Sequence, residues 1–263
     1  MRTIAIANQK GGVGKTTTTV NLAYAFLKDG KRVLAIDLDP QASLSISLGL
    51  DPKQVKELED AGKTIYFALV KGRPLEGMIV RDSAGGRPDL VPASIRLSAA
   101  EAELISPYGA AHVLKERLED LETKYDVVLI DCPPTLGLLT VNGLTAAGEV
   151  LIPAKTDLLS IMGVPLLLDT IENIRRRANP DLRILGVLPT LFHARNTHDR
   201  DVLAELAATL APHRVTVFEP IHHATAFDKA VAAGRSALEL WPETPGVQNY
   251  QRIVSHPAYG SQI

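Results

Sequence analysis

Cysteine is almost missing from this chain: Cys132 is the single one in 263 residues. That excludes an internal disulfide framework, and any zinc or iron–sulfur site built within one chain from several cysteines. A reducing cytoplasm is the natural setting. Long apolar runs are missing as well. No stretch reaches the 18 apolar residues of a membrane helix, and residues 4–7 are too short a run for a signal peptide, so the expectation is a soluble, unexported protein. Aromatic residues make up 5%, charged residues 22% and hydrophobic residues 46%, the composition of an ordinary globular protein. Neither sign of charge dominates. The 28 Lys and Arg against 30 Asp and Glu leave a net charge of −2, and nucleic-acid binding stays open because it depends on a local cluster of cations.

What is present is an alternation of strand and helix patterns. Residues 3–8 are β-prone, residues 17–29 carry a helical apolar pattern ended by Gly30, and residues 32–37 hold the uninterrupted run Val33-Leu34-Ala35-Ile36 of a strand buried on both faces. The same grammar recurs at 126–131, 149–153 and 183–189, with helical segments at 136–147 and 158–178. This predicts an α/β fold with a doubly wound, mostly parallel sheet. Residues 50–125 are less regular, with Gly- and Pro-rich interruptions and helical patterns near 64–71 and 109–122; they read as an elaboration of one domain over 1–254, followed by a frayed tail at 255–263.

Between the first strand and the first helix stands Lys10-Gly11-Gly12-Val13-Gly14-Lys15-Thr16-Thr17. In a P-loop, backbone N–H groups of a Gly-rich turn surround phosphates, a Lys reaches the β and γ oxygens, and a Ser or Thr hydroxyl binds Mg²⁺. Gly14, Lys15 and Thr16 supply that ending, although Gln9 occupies the place of the first Gly of G-x-x-x-x-G-K-[ST]. The fixed positions would coincide by chance in roughly one chain in ten thousand, which disfavours a ligand-free turn.

The segment resembles the deviant Walker A motif of the ParA/MinD class of P-loop ATPases. Ile36-Asp37-Leu38-Asp39-Pro40-Gln41 resembles the class's switch I element, and Val128-Leu129-Ile130-Asp131-Cys132-Pro133-Pro134 resembles its Walker B strand and switch II. The resemblance runs from residue 2 to about 235 and is strongest to 150. It implies Mg²⁺ and ATP as cofactors, with Lys15 neutralising phosphate, Thr16 on the metal, and Asp131 holding a metal-bound water, a role Asp37 shares or else leaves for ending its strand. It places Asp39 on the attacking water. Lys10 is implied to reach across an ATP-sandwiched homodimer to the partner's nucleotide, as an arginine finger does.

Within the class, the paired cysteines of the nitrogenase iron protein branch are missing, and residues 243–263 carry Pro245, Gly246, Pro257 and Gly260 where MinD-type proteins place a basic amphipathic membrane helix. The remaining match is a ParA or Soj type partition ATPase. That resemblance implies a cytoplasmic, nucleoid-associated dimer, double-stranded DNA bound without sequence preference, and hydrolysis stimulated by a ParB-type partner. With the P-loop within ten residues of Met1, an N-terminal helix-turn-helix domain is not expected. Candidate DNA contacts are Arg195, Arg200, Arg214, Lys229 and Arg235, with residues 175–177 as a further cluster; each is equally readable as a solvated helix face. The class's usual Ile-Pro-Arg is replaced by Glu219-Pro220-Ile221-His222-His223, and its usual Gln by Lys155. A membrane-surface positioning ATPase and an ATP-using metabolic enzyme acting on a small carboxylate are the alternatives.

Overall fold

A computed structural model of the chain describes residues 1–104 and 109–255. Six strands, β1 (Arg2–Ile6), β2 (Val33–Asp37), β3 (Asp89–Val91), β4 (Val127–Asp131), β5 (Glu149–Lys155) and β6 (Arg183–Thr190), form one sheet in the order β3-β2-β4-β1-β5-β6. Every pairing between them is parallel, where the sequence promised only a mostly parallel sheet. Helices follow in chain order: α1 (Lys15–Lys28), α2 (Ser43–Ser47), α3 (Pro52–Asp60), α4 (Ile65–Leu69), α5 (Ala100–Glu103), α6 (Val113–Glu119) and α7 (Leu138–Ala146). After β5 come α8 (Leu158–Arg177), α9 (Thr197–Leu210), α10 (Thr225–Ala232), α11 (Ala237–Leu240) and α12 (Asn249–Ser255).

The apolar strands are continuous because both sheet faces are covered, and alternate side chains serve opposite cores. Val128 and Ile130 join Ala5, Ile36, Leu144 and Leu167 on one face; Val127 and Leu129 join Ile4, Ile6, Leu22 and Phe26 on the other. α12 packs on α1, burying Tyr250, Ile253 and Val254. Of the tail expected to fray, Ser255 ends α12 and the remainder lies outside the described residues.

Residues 50–125, read from sequence as an irregular elaboration, contain the edge strand β3. Its three residues are too few to show a period, and its place is fixed by pairing with β2, Leu34 to Ile36 against Asp89 to Val91. Register decides what comes next. Ile6 pairs with Asp131, and Asp37 pairs with Asp131, so the ends of β1, β4 and β2 lie level. β1 sits where the strand order reverses, the crevice in which open α/β sheets place ligands.

Candidate phosphate and metal site

The loop leaving β1 turns on two glycines with left-handed backbone, Gly12 at φ 69° and Gly14 at φ 80°. An L side chain at either position would be strained, which is why the motif needs glycine there. Gly14 is the N-cap of α1, whose first turn contains no acidic residue, leaving the positive end of the helix to face the loop. The Lys15 ammonium lies inside this loop and donates to the Lys10 carbonyl at 3.0 Å. Burial lowers its pKa, against the opposing pull of Asp131. Thr190, at the end of β6, props the loop from the other side: its Oγ1 donates to the Val13 carbonyl at 2.9 Å.

Three carboxylates converge beneath the loop. Asp131 is buried and accepts from Thr16 Oγ1 at 2.7 Å and from Thr19 Oγ1 at 2.9 Å. Burial pushes its pKa up to about 6. Asp37 is fully buried; its Oδ2 accepts from the Ser45 backbone N–H at 2.8 Å and the Ser45 hydroxyl at 2.7 Å, while Oδ1 accepts from the Asp39 N–H at 3.0 Å. Burial, and then the neighbouring Asp131, push the Asp37 pKa up to about 7. Asp39 is half-buried and accepts from the Gln41 N–H at 2.9 Å, which shapes the turn that Pro40 begins. Two buried carboxylates facing each other are costly unless a cation joins them.

Lys10 is no solvated loop lysine. Its Nζ reaches Asp157 Oδ1 at 2.8 Å and Ser160 Oγ at 2.9 Å at the start of α8. Asp157 also caps α8, accepting from the Ser160 N–H at 2.8 Å, and its second oxygen lies 3.3 Å from Lys155 Nζ. Burial alone would raise the Asp157 carboxyl, but Lys10 and the Ser160 donors outweigh it and hold it well below the usual carboxylate range.

Beside Gly14 and Thr17 opens a cavity of about 90 Å³, walled by Thr190, Leu191, Ile221, His222, Ala224 and Phe227. Its far wall is the segment that departs from the class pattern. That segment runs beside the end of β6, with the Ile221 N–H donating to the Pro189 carbonyl at 2.8 Å and the Phe192 N–H to the Ile221 carbonyl at 3.1 Å. The vicinal histidines leave in different directions, His222 edge-on to Phe192 and His223 stacked on His193 at 4.9 Å. Sequence reading missed these wall residues because they come from distant stretches that carry no motif.

The five cations offered for DNA come from three stretches of the chain, around α9, on α10 and just after it. Arg195 and Arg200 lie at the start of α9, Arg214 lies beyond its far end, and α9 is 14 residues long, about 21 Å. Lys229 sits on α10, and Arg235 pairs with Glu239. At the end of α8, Arg175 and Arg176 share Glu172.

A family model for an AAA domain matches residues 1–184. The chromosome-partitioning ATPase Soj of Thermus thermophilus is 39% identical over 265 residues, covering 96% of this chain and 94% of that protein. The chromosome partitioning protein ParA of Myxococcus xanthus is 38% identical over 205 residues, 78% of this chain and 70% of that one. Among solved structures, cobyrinic acid a,c-diamide synthase from Mycobacterium smegmatis, with bound ATP analog and magnesium, matches with TM-score 0.81 and 38% identity over 96% of this chain and 92% of that one. With its P-loop, its paired strand-end aspartates and relatives matched over most of both lengths, the chain belongs to the ParA/Soj family of partition ATPases.

Proposed function

We propose that this chain is an ATP-driven switch for DNA segregation: Mg²⁺-ATP assembles a dimer that holds DNA without sequence preference, and weak hydrolysis stimulated by a ParB-type partner releases it. The observation that carries this reading is the convergence of Lys15, Thr16, Asp131, Asp37 and Asp39 at the level ends of β1, β4 and β2 in a chain of this family. The site suits Mg²⁺-ATP. Gly12 has open space beside it, α1 presents an uncapped N-terminus, and Asp131 and Asp37 are acids whose pKa burial raises.

Bound Mg²⁺-ATP supplies the phosphoryl group and the cation that shields it. Gly11 to Thr17 would surround the phosphates with backbone N–H groups, and Lys15, now on the Lys10 carbonyl, would neutralise phosphate charge. Thr16 would offer its hydroxyl to the metal, and Asp131 and Asp37 would hold its waters. Asp39 orients the attacking water, and Lys10 stabilises charge on the nucleotide of the partner subunit. The cavity walled by Thr190 and His222, beside Gly14 and Thr17, would be the place for the base. For DNA, Arg195, Arg200, Arg214 and Lys229 contribute separate phosphate contacts, while Arg235 must first leave Glu239.

The test is binding of unrelated duplexes followed by fluorescence anisotropy. Mg²⁺-ATP supports binding and ADP does not, and affinity falls by about tenfold or more between about 50 and 200 mM salt. Equal binding without nucleotide overturns the proposal.

A second reading is favoured by the Mycobacterium smegmatis structure named for an amide-forming synthase. Here ATP activates a small carboxylate as an acyl phosphate, and ammonia displaces the phosphate. Cys132 cannot release that ammonia from glutamine as a thiolate nucleophile, since it is buried and burial drives its pKa far up. ATP turnover that requires a carboxylate and ammonium, and ignores DNA, decides for this reading. As for a membrane role, no helix of the described residues is long and apolar enough to cross a bilayer, and α12 spends its apolar side chains on α1. Flotation with anionic liposomes in ATP tests surface binding, and co-migration would decide for it.

A further inference from the structure

We propose that Asp157 is an intramolecular decoy that holds Lys10 away from a partner subunit, and that Lys155 takes over the carboxylate when Lys10 leaves. This rests on the reading of Lys10 as a group that acts across a dimer of this chain.

The geometry gives each cation its own oxygen. Lys10 Nζ lies 2.8 Å from Oδ1 and Lys155 Nζ 3.3 Å from Oδ2. The carboxylate cannot follow either lysine, because it accepts the Ser160 N–H and caps α8. Lys10 is on the loop that would have to open. The side chains of Lys10 and Asp157 are 35% and 28% exposed, so the pair is screened but not fully solvated. Removing the single partner of a half-buried carboxylate leaves an uncompensated charge, whereas removing one of two leaves the charge matched. Lys155 therefore lowers the cost of releasing Lys10 without competing for the oxygen that Lys10 occupies.

The pair also borders an exposed apolar stripe, which a second copy would cover in the proposed dimer. Leu158, Met162 and Leu166 are 46%, 67% and 54% exposed at successive turns of α8, beginning one residue past Asp157. Gln9, next to Lys10, donates to the Gly163 carbonyl at 3.4 Å on the same helix. Loop and apolar stripe thus meet on one helix, α8.

The test uses the full chain and reads dimer fraction by analytical ultracentrifugation across an ATP titration, with ADP affinity and melting temperature measured alongside. Asp157→Asn keeps the helix cap and removes the charge; it is expected to lower the ATP concentration for half-dimerisation by up to about fivefold, the range of a partly exposed ion pair. Ser160→Ala removes the second contact of Lys10 while the Ser160 backbone donor remains, and shifts the titration the same way by less. Lys155→Gln shifts it oppositely. An Asp157→Asn protein that folds and needs as much ATP as the parent, or more, overturns the decoy, as does a Lys155→Gln protein that needs less. Lys10→Ala separates the two levels: an unchanged ATP-dependent dimer with full stimulated turnover refutes the trans role itself, whatever Asp157→Asn does.

Discussion

Asp131 is an acid placed where an acid is expensive. Both oxygens accept hydroxyl hydrogens, from Thr16 and Thr19, yet burial still drives its pKa up to about 6. An amide of the same shape keeps one accepting oxygen, and the threonine hydroxyls can rotate to accept from its nitrogen. Asp131→Asn is therefore expected to leave the melting temperature of nucleotide-free protein at pH 8 unchanged or higher, while weakening Mg²⁺-dependent ATP binding about 10- to 100-fold. Calorimetry and a Mg²⁺ titration check the two halves; a clear fall in melting temperature would show the carboxylate to be structural. The identities of Lys15, Thr16, Asp37, Asp39 and Asp131 were legible in sequence because each stands in a contiguous motif. The partner of Lys10 was not, because Asp157 is distant in sequence and becomes a neighbour only when β5 pairs with β1.

At the scale of elements, α7 is seated against β4 through a glycine. A methyl group on Gly143 would lie 2.9 Å from Cys132 Sγ, 3.3 Å from Leu38 Cδ1 and 3.4 Å from Ile130 Cγ2. Gly143→Ala gains about 1 kcal/mol of helix propensity but must move α7 off the strand that ends in Asp131. A net loss of about 1–2 kcal/mol is expected from the denaturant midpoint, together with weaker ATP binding as the strand end shifts. β1, β2, β4, β5 and β6 were readable from their apolar runs, and α1 and α8 from their periodicity. β3 was not, since three residues carry no pattern and only the exposed edge of β2 recruits them. The short helices α10 to α12 escaped for a similar reason: they are held by packing against α1 and one another.

Across the whole molecule, the end of the sheet away from the site is tied by charge. Arg32 grips Asp126 in a fork, Nη2 to Oδ1 at 2.8 Å and Nε to Oδ2 at 3.1 Å, with its own N–H on Oδ2 at 2.8 Å. These hydrogen bonds hold the Asp126 carboxyl well below the usual carboxylate range. A depressed folded pKa gives stability that is present above the unfolded value of about 3.9 and is lost as pH falls below it. The melting temperature is expected to drop as pH falls below about 4, and the drop should be shallower in Asp126→Asn; an identical profile in that variant would remove the fork from the account. The chain order of residues by itself determined the α/β class, the P-loop and the motif aspartates, because these are written in local periodicity and in contiguous spacing. Only the tertiary structure decided that Asp37 and Asp131 end neighbouring strands in register, that Thr190 and His222 wall a cavity beside Gly14, that Lys10 rests on Asp157, and that Arg214 lies at the other end of α9 from Arg200. Those facts depend on strand register and helix length, which join residues that no local pattern links.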